Sequence, residues 1–252
     1  MAKIVPFPRF DRVERVVHWT NATLFLILLA TGASLKIGGL AVIVAHRHTV
    51  KTIHVYAGLL LPLPLLIGLA IPAGRQFRRD VGRFNRWSRD DKRWWSRSQR
   101  KDVQLGKFNP GQKLNAIFVG AAIFVMLGTG SIMRWFKPFP DSWRTGATFV
   151  HDSTFLVLLI VIAGHIMFAF NDFDSLRSMV KGWVPERWAR KERPVWWAEV
   201  VAARAAASAD AGGDVEAGTA QRKREARVGA REVAVVDTVD GGTPDRGRSI
   251  EL

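Results

Sequence analysis

Four histidines lie within apolar stretches of the chain: His18, His54, His151 and His165. An ionisable side chain in hydrocarbon is costly and needs a partner inside the protein. Neutral imidazole is a ready axial ligand for haem iron. His151 and His165 are fourteen residues apart. Over that interval a helix turns about 1400°, within ~40° of whole turns, and climbs about 21 Å. One helix thereby offers two metal ligands on one face at two depths. Gly32 and Gly68 stand fourteen residues beyond His18 and His54 and repeat the spacing. A flat macrocycle against a helix needs a residue without a side chain, so both are expected haem-packing glycines. His46 and His48 flank Arg47 and read as surface residues.

The elements that must position these residues are four stretches, roughly 16–37, 52–72, 114–133 and 149–170, each long and apolar enough to cross a bilayer. Trp19, Trp135, Trp143 and Trp183 sit at their ends, where an interfacial aromatic belt would place them. Pro62 and Pro64 each remove a helix hydrogen bond, so a kink is expected after His54. The sequence has no cysteine. Disulfides, thiolate zinc, iron–sulfur clusters and covalently attached haem are thereby excluded, and histidine must hold any redox centre. The net charge of +15 does not imply a nucleic-acid partner. Residues 202–252 carry eight basic and nine acidic side chains, so the excess lies beside the apolar stretches. The expected fold is all-α: an integral membrane four-helix bundle over residues 1–201, followed by a disordered tail at 202–252, rich in Ala, Gly, Asp and Arg.

Charge sets the expected orientation. The loop 75–113 holds thirteen Lys and Arg against four acids, whereas the loops 36–51 and 134–148 hold three basic residues each. Basic loops stay cytoplasmic, which puts both termini in the cytoplasm. A cleaved leader is the competing reading of the first stretch; Asp11, Glu14 and an opening histidine speak against it. With this topology, depth pairs His18 with His165 near the cytoplasmic face and His54 with His151 near the external face. Two bis-histidine sites for two b haems result.

Residues 9–199 resemble the gamma subunit of respiratory formate dehydrogenase, the membrane cytochrome b of the formate dehydrogenase-N type. The likeness rests on RFDRVERVVHW (9–19), GKFNPGQK (106–113), the His151–His165 spacing and KGWVPERWARKERPVWWAEV (181–200). The resemblance implies the same four haem ligands. It also implies a cytoplasmic-side quinone pocket at Asn109, Gly111, Gln112 and His165, for menaquinone or ubiquinone. The amides supply donors and acceptors to a quinone carbonyl, and His165 keeps one nitrogen free when the other binds iron. Asn109-Pro110 is also a plain helix start, and both roles can hold together.

As partners, the resemblance implies an iron–sulfur beta subunit and a molybdo- or tungstopterin alpha subunit, the quinone pool and membrane lipid. The location is the bacterial inner membrane. Formate oxidation would occur outside this chain and quinone reduction on it. Residues 134–144, RWFKPFPDSWR, are the expected docking segment. The open alternatives are a cytochrome b anchor for a hydrogenase or another molybdenum oxidoreductase, and a stand-alone quinol-oxidising cytochrome b. A haem-free transporter fits poorly, because the spans lack carboxylates deep in the membrane for proton coupling. A purely structural anchor leaves the histidine pairs without use.

Overall fold

The structure is a computed structural model that describes residues 5–37, 46–96, 98, 100, 103–209, 219 and 221–225. Its long elements are α1 (Arg12–Lys36), α2 (Arg47–Leu60), α3 (Leu63–Ala70), α6 (Pro110–Arg134) and α7 (Asp141–Asn171). The second span is α2 and α3 together. Helix α2 ends at Leu60 and α3 begins at Leu63, so the interruption falls at Leu61 and Pro62. Leu61 and Pro62 keep helical backbone angles, but the proline ring has no N–H to donate to the ladder and crowds the carbonyl one turn back. The four expected spans are thus present, each starting earlier than its apolar stretch because polar first turns are helical as well.

Shorter elements gather at one end: β1 (Pro6–Pro8), α4 (Arg75–Phe84), α5 (Arg89–Arg93), α8 (Phe173–Lys181), β2 (Trp183–Pro185) and α9 (Glu186–Glu192). Strands β1 and β2 pair antiparallel, with Phe7 opposite Val184. That ladder brings residues before the first span and after the fourth to the same end, called here the strand end. Gly182 closes α8 at φ +85°. Its carbonyl accepts the Arg9 and Phe10 amides at 2.8 and 3.1 Å. A side chain there would be strained by backbone conformation and would meet the Phe10 carbonyl at 2.8 Å.

Three helix starts are fixed by reciprocal capping: Asp11 with Glu14, Ser88 with Asp91, and Asn109 with Gln112. Each satisfies two helix-end amides that hydrocarbon or packed protein cannot hydrate.

Helix α1 packs along α2 and α3, and α6 along α7. Between them Phe25, Leu61, Ala122, Ile123 and Leu158 form the buried apolar layer. Phe25, Leu61 and Leu158 lie seven residues past His18, His54 and His151, hence about 10 Å along each helix. The apolar core therefore occupies the middle of the bundle, between two histidine levels. Outward, large apolar side chains such as Phe149, Ile160 and Phe168 are exposed, as expected where lipid is the solvent.

The chain divides into two compact units, Met1–Trp197 and Ala198–Leu252. Within the second, residues 198–209 are helical, so helix continues past the expected boundary at 202. Most of the expected tail beyond 209 lies outside the described residues.

Candidate functional site: two histidine pairs

The structure brings the histidines together in two pairs. His18 and His165 have ring centroids 6.2 Å apart at the strand end. His54 and His151 have theirs 6.2 Å apart at the far end. An imidazole nitrogen lies about 2 Å from a metal it binds, and the ring centre ~1 Å further back. Two rings on opposite sides of one metal atom are therefore about 6 Å apart. Both pairs match that separation. Among the described residues no cluster of three or more His, Cys, Asp or Glu could hold a metal ion.

The far-end pair has protein partners on its second nitrogens. Thr31 Oγ1 lies 2.9 Å from His54 Nδ1, and Thr129 Oγ1 lies 3.0 Å from His151 Nδ1. Each threonine precedes a glycine packed on the same ring. A Cβ on Gly32 would stand 3.4 Å from His54 Cε1, and one on Gly130 3.4 Å from His151 Cε1. Gly32 thus occupies the level its fourteen-residue spacing indicates. Gly68 also lies at its expected level, beside Val17, but its Cα surface is covered by Val17 Cγ2 and the Phe77 ring. Sequence reasoning missed Thr31, Thr129 and Gly130. The Thr-Gly dipeptide repeated at 31–32 and 129–130 was the available signal. His46 and His48 are exposed, although His48 lies inside α2 rather than in a loop.

The strand-end pair differs. No side-chain hydrogen bond reaches His18 or His165 among the described residues; His18 meets the Trp19 ring edge-on at 5.3 Å. Asn21 Oδ1, one turn past His18, is buried without a hydrogen-bond partner.

At this end the N-terminus of α6 carries the expected quinone residues. Asn109 Oδ1 accepts the Gln112 amide at 2.8 Å, and Gln112 Oε1 accepts the Asn109 amide at 3.0 Å. Both side-chain oxygens are therefore engaged in the cap, and the two NH2 groups remain as donors. Gly111 faces the Trp94 ring, 3.5 Å from its ideal Cβ.

Beneath this turn a charged cluster is sealed from solvent. Lys107 Nζ donates to Glu14 Oε1 at 3.2 Å and to Asp80 Oδ2. Lys113 Nζ donates to Asp91 Oδ2 at 2.7 Å and to the Arg86 carbonyl at 2.8 Å. Arg9 is buried over Trp188, with its guanidinium 4.7 Å from the ring, and donates to Ser175 Oγ and the Lys107 carbonyl. Burial, followed by the charge of Arg193, lowers the Arg9 pKa to about 9. Arg15, near this level, is spent on the Asp11 and Val180 carbonyls. At the far end Lys36 pairs with Asp152, and the segment 134–144 exposes Trp135, Phe136 and Trp143.

Fold and site together define a class: a multi-pass membrane protein with two close pairs of histidines inside its helices. Comparison with known proteins makes this specific. The chain belongs to the prokaryotic cytochrome b561 family, whose model matches residues 9–182. It is 27% identical to the formate dehydrogenase cytochrome b556(fdo) subunit of Escherichia coli strain K12, over 76% of this chain and 92% of that protein. The nitrate-inducible cytochrome b556(Fdn) subunit of the same strain is 24% identical, over 84% of this chain and all of the relative. The formate dehydrogenase cytochrome b556 subunit of Haemophilus influenzae is 26% identical, over 74% and 80%. The resemblance read from residues 9–199 is borne out by these relatives.

Proposed function

We propose that this chain is the membrane cytochrome b subunit of a formate dehydrogenase. It would take electrons from catalytic and iron–sulfur partner subunits outside the membrane and deliver them to quinone on the cytoplasmic side. The observation that carries the reading is the two histidine pairs, one toward each end of the bundle, each at the ring separation a shared iron requires. His18 and His165 would hold one haem b and His54 and His151 the other. The haems supply one-electron transfer between the two ends of the bundle.

The chain's own residues supply the rest. The apolar layer of Phe25, Leu61, Ile123 and Leu158 excludes water between the two levels and keeps the pairs apart. Asn109 Nδ2 and Gln112 Nε2 donate hydrogen bonds to a quinone carbonyl, which strengthen as negative charge develops on that oxygen. Reduction to quinol takes two electrons and two protons. The strand end, facing the cytoplasm under the positive-inside rule, is where protons enter. Exposed Trp135, Phe136 and Trp143 offer amphipathic rings to a docking subunit at the external end. The chain would lie in the bacterial inner membrane, with formate oxidised on a partner.

The test is haem per polypeptide in protein purified from membranes, with a reduced-minus-oxidised spectrum and a redox titration. Two b haems titrating separately support the proposal; material without haem, expressed with adequate haem supply, overturns it.

A further inference from the structure

We infer that Thr31 and Thr129 are positioning residues that fix the ligand tautomer of the far-end histidines and set that haem's potential apart from the other. The inference rests on the di-haem reading. Its basis is a chain of hydrogen bonds whose direction can be read. A threonine hydroxyl has one proton. Thr31 Oγ1 donates it to the Ile27 carbonyl at 2.6 Å, one helical turn back. Thr129 Oγ1 donates its proton to the Val125 carbonyl at 2.8 Å. A second carbonyl of the preceding turn, Leu28 at 3.3 Å and Met126 at 3.4 Å respectively, also draws on that proton, so toward the histidine each hydroxyl oxygen accepts. Nδ1 of His54 and Nδ1 of His151 must then be the donors, at 2.9 and 3.0 Å. Nδ1 protonated means Nε2 is the bare nitrogen, and Nε2 is the atom left for iron.

The arrangement occurs twice with the same parts. Thr31 and Gly32 on α1 hold the histidine of α2, and Thr129 and Gly130 on α6 hold the histidine of α7. The glycine lets the helix approach closely enough for its neighbouring hydroxyl to reach the ring: at 3.4 Å from Cε1, a larger residue would push the imidazole away. A partner that accepts from Nδ1–H raises the basicity of the ligating nitrogen. A more basic ligand favours the oxidised iron, so both threonines lower the potential of the far-end haem. His18 and His165 have no such acceptor among the described residues, and their haem lacks this effect. The potential difference favours flow from the far end to the strand end, the direction quinone reduction needs.

The experiment is a redox titration of the purified two-haem protein and of Thr31→Val, Thr129→Val and the corresponding Ser variants, with low-temperature EPR. The haem signal lost in His54→Leu identifies the far-end haem. Each Val variant should raise that haem's potential, moving its reduced-to-oxidised ratio roughly three- to tenfold, about 30–60 mV at 59 mV per tenfold for one electron. Its EPR g values should shift, the other haem should stay put, and Ser should restore both. If Val instead expels a haem, loss of the far-end haem alone with recovery by Ser also supports the inference. An unshifted potential, an equal shift of both haems, or no recovery with Ser overturns it while two wild-type haems stand. A wild type without haem overturns the di-haem reading as well.

Discussion

The two histidine pairs share a ring separation and differ in almost everything around it. At the far end both imidazoles are tethered through Nδ1 to threonines and pressed by glycines, with the Lys36–Asp152 ion pair beside them. At the strand end both rings lack side-chain hydrogen bonds among the described residues. The polar groups there lie outside the rings: a sealed Lys107–Glu14–Asp80 cluster and a capped α6 terminus with two spare NH2 groups. The contrast teaches how one scaffold gives two equally spaced histidine pairs different surroundings. An imidazole whose Nδ1 is committed to a hydroxyl is held in orientation. An uncommitted one stays available to a substrate, which is the role the family resemblance implies for His165.

Replacing either far-end histidine is the largest blow to this comparison. His54→Leu or His151→Leu should lower haem from two per chain to one and leave the strand-end haem intact; two unchanged haems would break the pairing. Next comes Lys107→Met, which leaves Glu14 and Asp80 buried without their shared cation. Removing one partner of a buried ion pair costs about 3–5 kcal/mol. Thermal unfolding should show a marked loss of stability, and an unchanged melting temperature would mean the cluster contributes nothing.

Smaller effects separate cap from pocket. Gln112→Glu and Asn109→Asp keep the acceptor oxygens of the capping box and delete the NH2 donors. Both haems should be retained while quinone reduction by the assembled complex slows about tenfold, the cost of a lost hydrogen bond of ~1.4 kcal/mol; an unaffected rate removes the pair from the pocket. The smallest change is Gly130→Ala, whose methyl must displace His151 by a few tenths of an ångström. About 1 kcal/mol of overpacking should loosen the far-end haem alone, read as faster haem loss on mild heating. Equal loosening of both haems would contradict the placement.

Much was legible in the sequence because a membrane simplifies the problem. Hydrocarbon demands long apolar helices, helix pitch converts a fourteen-residue spacing into one face at two depths, and alternating direction sorts His18 with His165 and His54 with His151. The helix start at Asn109-Pro110 followed from capping chemistry, and the break near Pro62 from the proline ring, whereas the reciprocal Asn109–Gln112 bonds came from the structure. The rest depended on which helix faces which. Nothing in the sequence says that α1 turns Thr31 toward His54, that α6 turns Thr129 toward His151, or that Gly68 is covered by Val17 and Phe77. Lys107 reads as one more basic loop residue until folding seals it between Glu14, 93 positions before it, and Asp80, 27 before it. Local periodicity sets the depth of a residue, because rise per residue is fixed by the backbone. Azimuth and partner are set by packing between helices, which only the tertiary structure decides.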